Sequence, residues 1–290
     1  MIERIASKSE MRAAIAEARR EGKTIGFVPT MGALHRGHIS LVRAACERTD
    51  IVVVSVFVNP TQFVPGEDFE RYPRRVDEDI ELLSAEGVEL AFTPSVETMY
   101  TDDPVVTVDP GPLAKRWEGE LRPGHFTGAA TVVTKLFSII RPDLAFFGEK
   151  DFQQLAIVRR MAIDLDLGVG VIGCPIVRDV DGLAFSSRNA YLSAEDRDHA
   201  LALPEALEAA AQALAWGERS GEALDIIMRQ AAGTRAPGAL TLDYAAIVDP
   251  ETLEPLATVD RPARAIIAGR VGGTRLIDNC AMTPPAGEAE

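Results

Sequence analysis

The chain is short of three things, and each shortage excludes a class of function. Cysteine comes first: Cys46, Cys174 and Cys280 are the only three in 290 residues. Thiols this few and this far apart give neither a disulfide framework nor a zinc-ligand spacing. They read as buried or inert thiols of a reducing cytoplasm, the expected location. Positive charge is the second: 30 Lys and Arg face 44 Asp and Glu, for a net charge of −14. A surface this acidic repels a polyphosphate backbone and an anionic bilayer, so no nucleic acid and no membrane are expected as partners. Long apolar runs are the third. No stretch reaches the roughly 18 continuous apolar residues that a spanning helix needs. The opening Met1-Ile2-Glu3-Arg4 lacks the apolar core of a secretory signal.

What is present is a globular composition, 47% hydrophobic, sufficient for one large α/β domain or two smaller ones. No internal repeat is visible. Helical periodicity covers residues 9–20, a helix starting near His38, and residues 76–85, 127–140 and 151–165. Between them lie strand-like runs at 25–28, 51–57, 88–92, 143–147 and 169–172. The run 51–57 is β-branched enough to be buried on both faces. Such alternation predicts α/β architecture: a doubly wound parallel sheet, Rossmann-like, whose ligands bind beyond the carboxyl ends of its strands. Beyond about Pro175 the character changes. A polar loop, 178–189, leads to an Ala-rich helical region, 194–216, broken by Pro204, and to a helix at 222–231. Strand-like runs follow at 242–248, 264–268 and 274–277. This division predicts a first domain over 1–176 and a smaller α+β domain over 177–290, with a disordered tail at 283–290.

Four motifs carry chemistry, three of them at strand ends. Pro29-Thr30-Met31-Gly32-Ala33-Leu34-His35-Arg36-Gly37-His38 joins a strand to a helix. It places two histidines where free backbone N–H groups and the positive dipole end attract anions. Gly32 and Gly37 let a bulky ligand approach the backbone. Phe57-Val58-Asn59-Pro60-Thr61-Gln62-Phe63 projects two amides at a strand's carboxyl end, suited to orienting neutral and carboxylate oxygens without adding charge. Phe147-Gly148-Glu149-Lys150-Asp151-Phe152-Gln153-Gln154 supplies one ammonium for phosphate, with Gln154 one turn away on the same face. In Arg178–Asn189, Ser186 and Ser187 beside Arg188 make a mobile phosphate clamp, or else a surface turn with an N-cap. A further segment, Arg122-Pro123-Gly124-His125-Phe126-Thr127-Gly128, reads as either an anion-binding helix entry or a capped turn.

The histidine motif, the Lys150 motif and the Ser-Ser-Arg loop, in that order, resemble the HxGH and KMSKS-like motifs of the nucleotidyltransferase superfamily that includes class I aminoacyl-tRNA synthetases. Residues 29–38, 57–63, 122–128, 147–154 and 181–192 together are similar to the pantoate–β-alanine ligase (pantothenate synthetase) family. The likeness runs as far as Arg275-Leu276-Ile277-Asp278-Asn279. It implies an ATP-dependent ligase that joins pantoate to β-alanine through pantoyl adenylate, releasing AMP and pyrophosphate. It also implies a cytoplasmic homodimer with the small C-terminal domain as a lid. The resemblance makes His35, His38, Lys150, Ser186, Ser187 and Arg188 the catalytic set, with His38 as proton donor. Pro29, Thr30, Met31, Gly32, Gly37, Gly148, Glu149, Asp151, Val177 and Phe185 would complete the ATP pocket. Phe185 departs from the Met or Leu common there. Gln62, Gln154, Asn59 and Met31 would hold pantoate and β-alanine. Mg²⁺ would arrive with ATP, mostly through phosphate oxygens and water, with Glu78 and Asp79 as an assisting acidic pair.

Two rival readings remain at this level. A nucleotidyltransferase acting on a phosphorylated substrate would share the histidine and Ser-Ser-Arg motifs but has no need of Gln62 and Gln154. A non-catalytic nucleotide sensor would be expected to have lost at least one of His35, His38, Lys150 and Arg188.

Overall fold

Each strongly patterned segment of the first 175 residues becomes one strand or one helix in the computed structural model, which describes residues 2–67 and 69–285. In chain order these are β1 (Glu3–Ile5), α1 (Lys8–Arg20), β2 (Ile25–Thr30), α2 (Arg36–Cys46), β3 (Ile51–Val56), α3 (Val76–Ala85) and β4 (Leu90–Phe92). The short α4 (Val96–Met99) and α5 (Glu118–Leu121) precede α6 (His125–Ile140), β5 (Leu144–Gly148), α7 (Phe152–Asp164) and β6 (Gly170–Cys174). Among the described residues the six strands form one parallel sheet in the order β1-β4-β3-β2-β5-β6. The order runs outward from β2 through β3 and β4 on one side and through β5 and β6 on the other. The topological switch therefore lies between β2 and β5, where doubly wound folds bind their ligands.

Residues Val52–Val56 of β3 are all buried, as expected of a parallel strand covered on both faces. Helix α2 turns Leu41, Val42 and Ala45 onto Val28, Val52, Val54 and Phe146, which ties the helix after β2 to the central sheet. Those residues belong to the core that fixes where the first motif emerges.

The second architecture is α8 (Ala194–Ala200), α9 (Ala202–Ala215), α10 (Gly221–Arg235) and the antiparallel strands β7 (Leu240–Val248), β8 (Ala263–Val271) and β9 (Thr274–Met282). Its core packs Leu203, Leu207, Leu214, Leu224 and Met228 against Ala245, Ile247, Ala265 and Ile267. The chain divides into two compact units: Met1–Glu149 with Gln153–Pro175, and Lys150–Phe152 with Ile176–Glu290. Lys150–Phe152 thus keep company with the second unit although in sequence they interrupt the first.

Several expected boundaries move, each for a local reason. Helix α6 starts at His125, before the expected 127, because Gly124 takes the left-handed conformation (φ 89°) and turns the chain into the helix. The Ala-rich region breaks at Leu201, ahead of Pro204. A proline ring collides with the carbonyl four residues back, here that of Ala200, so the earlier helix ends there. Pro204 itself sits in the first turn of α9, where its missing N–H has no partner to lose. Strands β8 and β9 extend well past their most apolar stretches and meet at the Gly272-Gly273 turn, both residues at positive φ. Of the tail expected to be disordered, residues 286–290 lie outside the described residues.

Candidate active site

The loop leaving β2 is held by hydrogen bonds that the sequence does not advertise. Thr30 is buried; its hydroxyl donates to the Ser55 carbonyl (2.7 Å) and accepts from Gly32 N (3.2 Å), tying β2 to β3 at the strand end. Gly32 has φ 83°, and a Cβ there would stand 2.9 Å from Asp79 Oδ2 and 3.0 Å from Val56 Cγ1. Ala33, also at positive φ (51°), donates its N–H to Asp79 Oδ2 (3.0 Å), and Leu34 donates to Asp79 Oδ1 (2.8 Å). Asp79 is 2% exposed. Burial pushes its carboxyl above the usual carboxylate range, against the opposing pull of the two amides.

His35 is the N-cap of α2, just ahead of its first turn. Its Nδ1 accepts from Gly37 N (3.1 Å), so the ring is neutral there with its hydrogen on Nε2. His38, inside the first turn, stacks on it with ring centroids 4.0 Å apart. Gly37 has no Cβ because one would stand 3.0–3.1 Å from the His35 ring. The glycines expected to admit a ligand are therefore required first by the protein's own Asp79, Val56 and His35.

The second group of expected residues gathers beside this loop. Gln62 donates Nε2–H to Met31 Sδ (3.1 Å), and its Oε1 accepts from Asn59 Nδ2 (3.0 Å). Asn59, expected to contact substrate, is 1% exposed and engaged at both ends. Its Nδ2 also reaches Gly128 O (3.3 Å), and its Oδ1 accepts from Tyr100 OH (2.7 Å) and Thr61 Oγ1 (3.0 Å). It is a fastener for Gln62, because its hydrogen-bonding capacity is taken up inside the protein. The segment 122–128, left open by the sequence, supports the same turn. His125 is buried; its Nδ1 lies 2.7 Å from Gln62 O and its Nε2 3.0 Å from Arg122 Nη1. Arginine has only donors, so Nε2 accepts and Nδ1–H donates to Gln62 O. Arg122 in turn grips Glu67, whose carboxyl burial would raise but whose bonds to Arg122 hold it low. A Cβ at Gly128 would stand 2.1 Å from Thr61 O, so α6 packs directly on the Pro60–Gln62 turn.

At the last residue of β5, a Cβ on Gly148 would meet nothing within 4 Å, leaving open space beside the backbone. Glu149, Lys150 and Asp151 form a single 3₁₀ turn before α7. Gln153 faces inward, donating to Leu113 O and Arg116 O, whereas Gln154 is half-buried. In the second unit, residues 177–185 form a hairpin: Phe185 N donates to Val177 O (2.9 Å) and Asp179 N to Leu183 O (2.9 Å). Arg197 holds Asp179 and Asp181 at 2.8 Å each. The hairpin delivers Phe185, half-buried, into a 3₁₀ turn, Ser187–Tyr191, capped by Ser186, whose hydroxyl accepts from Arg188 N. Ser186 is thus the N-cap that the sequence left as an alternative.

Glu78 is exposed and faces Arg75 (3.5 Å) while Asp79 clamps the loop, so the expected acidic pair is divided between two tasks. No group of three or more His, Cys, Asp or Glu gathers among the described residues to hold a metal. Among the described residues no helix is long and apolar enough to cross a membrane. Sequence reasoning missed Asp79 as a clamp, His125 and Tyr100 as supports, and any part for Asn279.

Comparison with known proteins bears on the whole chain. A family model described as Pantoate-beta-alanine ligase matches residues 3–281. The chain is 50% identical over 275 residues to the pantothenate synthetase of Rhizorhabdus wittichii, covering 95% of this chain and 96% of that one. It is 52% identical over 284 residues to the pantothenate synthetase of Rubrobacter xylanophilus, covering 95% and 97%. Among solved structures it is similar to the pantothenate synthetase of Thermus thermophilus (TM-score 0.91, 48% identity, 98% of this chain and 100% of that one). A pantoate-beta-alanine ligase from Francisella tularensis, crystallised with beta-gamma ATP and beta-alanine, is similar at TM-score 0.79 and 33% identity, covering 99% and 100%.

Proposed function

This chain belongs to the pantoate–β-alanine ligase family, and we propose from that premise how its residues divide the reaction. The enzyme condenses pantoate with β-alanine using ATP, through pantoyl adenylate, giving pantothenate, AMP and pyrophosphate. A carboxylate acylates poorly until its oxygen becomes part of a good leaving group, and adenylation supplies one. The pantoate carboxylate attacks the α-phosphorus, and the β-alanine amine then displaces AMP at the carbonyl.

Negative charge on the α-phosphoryl and pyrophosphate oxygens changes most in the first step, so positioning and fixed donors dominate. His38, as proton donor, and His35, through its Nε2–H, face those oxygens from the start of α2. Lys150 and Arg188 neutralise them, with Ser187 donating and Ser186 holding the Arg188 turn. The rest of the ATP pocket is Pro29–Gly32, Gly37, Gly148, Glu149, Asp151, Val177 and Phe185. Gln62 and Gln154, with Met31, hold pantoate and β-alanine; Asn59 acts through Gln62. One loop, residues 30–38, carrying Met31 against Gln62 at one end and the stacked histidines at the other, is the observation that carries this reading.

Mg²⁺ fits this arrangement only as a companion of ATP, held by phosphate oxygens and water, since Asp79 is turned to the loop amides. We further place the enzyme in the cytoplasm as a homodimer whose second unit acts as the lid; size-exclusion chromatography with light scattering checks the dimer. Pyrophosphate exchange with pantoate and without β-alanine tests the central reading. Exchange dependent on pantoate supports it, and its absence from active preparations overturns it.

A further inference from the structure

Strand β9 carries, at and just past its midpoint, two adjacent buried polar residues to which the reaction assigns no part. Asn279 is 3% exposed; its Oδ1 accepts from Arg264 Nε (2.7 Å) and its Nδ2 donates to the Lys150 carbonyl (2.9 Å). Arginine offers only donors, so the amide has one orientation: oxygen toward Arg264, nitrogen toward Lys150. The Arg264 guanidinium lies over the Phe152 ring, 4.3 Å from its centroid. Lys150 and Phe152, on either side of Asp151, are thereby fixed by two linked groups. The neighbouring Asp278 is equally buried and forks Arg178 through both oxygens (2.7 and 2.9 Å). Arg178 also donates to Gly182 O (2.9 Å) in the hairpin that leads to Ser186–Arg188.

Lysine is a point charge on a flexible four-carbon stem, so where its charge rests depends on how firmly its backbone is held. We propose that Asn279 is a positioning residue for Lys150, and that Asp278-Asn279 lock Lys150 and the Ser186–Arg188 turn into one body, so that both cations address the phosphates together. This rests on the assignment of Lys150 to the phosphates. An amide is needed because one side chain must accept from Arg264 and donate to a carbonyl at once; aspartate, of the same shape, does only the first.

The test compares Asn279→Asp, Lys150→Ala and the double variant in pyrophosphate exchange. Small misplacements of a reacting geometry reduce rate by as much as roughly 10²-fold. Asn279→Asp is expected to lower kcat roughly tenfold to a hundredfold, with the KM for pantoate and the melting temperature near their parent values. In the Lys150→Ala background the same substitution is expected to add nothing, since coupled residues are non-additive. Asn279→Ala, which removes both contacts, should show the same split should the aspartate variant fold poorly. Full loss in both backgrounds would make Asn279 merely structural and overturn the proposal, as would an unchanged Asn279→Asp rate beside an impaired Lys150→Ala. A Lys150→Ala enzyme with normal exchange would instead overturn the assignment of Lys150 itself.

Discussion

His35 and His38 look equivalent in sequence but hold different places in the structure. His35 commits Nδ1 to the Gly37 amide and so carries its hydrogen on Nε2, whereas His38 lies within the first turn of the helix with the His35 ring against it. If His38 serves the phosphoryl centre, its loss should disable one half-reaction. The second half-reaction breaks a carbonyl–oxygen bond with β-alanine as free amine, and His38 has less to contribute there. His38→Ala is therefore expected to lose pyrophosphate exchange by a large factor yet convert supplied pantoyl adenylate and β-alanine to pantothenate. Equal loss in both assays would defeat that division of labour. The two glutamines form a separate test. Removing a buried amide from a small polar ligand leaves that ligand's groups unpaired, at about 1–3 kcal/mol. Gln62→Ala and Gln154→Ala should each raise the KM for pantoate roughly tenfold or more while the KM for ATP stays near its parent value. Gln62→Ala carries an added penalty, because it also removes the acceptor of Asn59 Nδ2. Steady-state kinetics with each substrate varied in turn would show whether the effect is confined to pantoate.

At the scale of elements, what was legible in the sequence had a period and what was not depended on a distant partner. Helices of ten residues or more declared themselves through a spacing of 3.6, and the inner strands through continuous apolar, β-branched runs. Strand β1 did not: it has three residues, two of them exposed, and exists by pairing with β4. The two histidines and the amides of Gln62 and Gln154 could be singled out as candidates because they follow strand-like runs, and doubly wound sheets bind ligands beyond strand ends. The clamp could not, because Asp77, Glu78 and Asp79 look alike at the start of α3. One signal was available: Asp79 stands four residues before Leu83, so helical spacing puts it on the buried face. The loop it clamps gives a paired prediction. Gly32→Ala meets both a positive φ and close contacts with Asp79 and Val56. Left-handed backbone costs a residue with a side chain roughly 1–2 kcal/mol, which for a protein of this size lowers the melting temperature by several degrees. Gly37→Ala meets only a movable ring, so it should leave the melting temperature near the parent's while removing the His35 cap and most adenylation activity. Calorimetry and pyrophosphate exchange on both variants separate the two glycines; equal melting temperatures would refute the distinction.

Across the whole molecule the excess of acidic residues hides two populations of carboxylates whose pH responses oppose each other. Burial opposes the shift at Glu67 and Asp249, yet Arg122 holds the first low, and the Thr252 and Glu251 amides with Arg261 hold the second. Asp198 is held low chiefly by its bond to Arg235. Groups with depressed folded values support stability above their unfolded values and lose that support as pH falls through the folded ones, in the acid range below about 4. Asp225 behaves oppositely. It sits behind β7, accepting from Ile247 N (2.8 Å), and burial raises its carboxyl from 3.8 to about 6, with Arg229 and that amide only partly compensating. Here the folded protein binds a proton more readily than the unfolded chain. The penalty for the charged form is therefore fully present above about 6 and is relieved as pH falls from about 6 toward 3.8. Stability of the second unit should rise as pH drops from 7.5 to about 5 and fall only when the Arg-paired carboxylates protonate. Asn at this position can still accept from Ile247 N without a charge to bury. Asp225→Asn is thus expected to raise the melting temperature at pH 7.5 and to flatten the slope between pH 7.5 and 5. Urea unfolding of both proteins across that range checks the sign, and a parent slope that is flat or reversed would remove Asp225 as its cause.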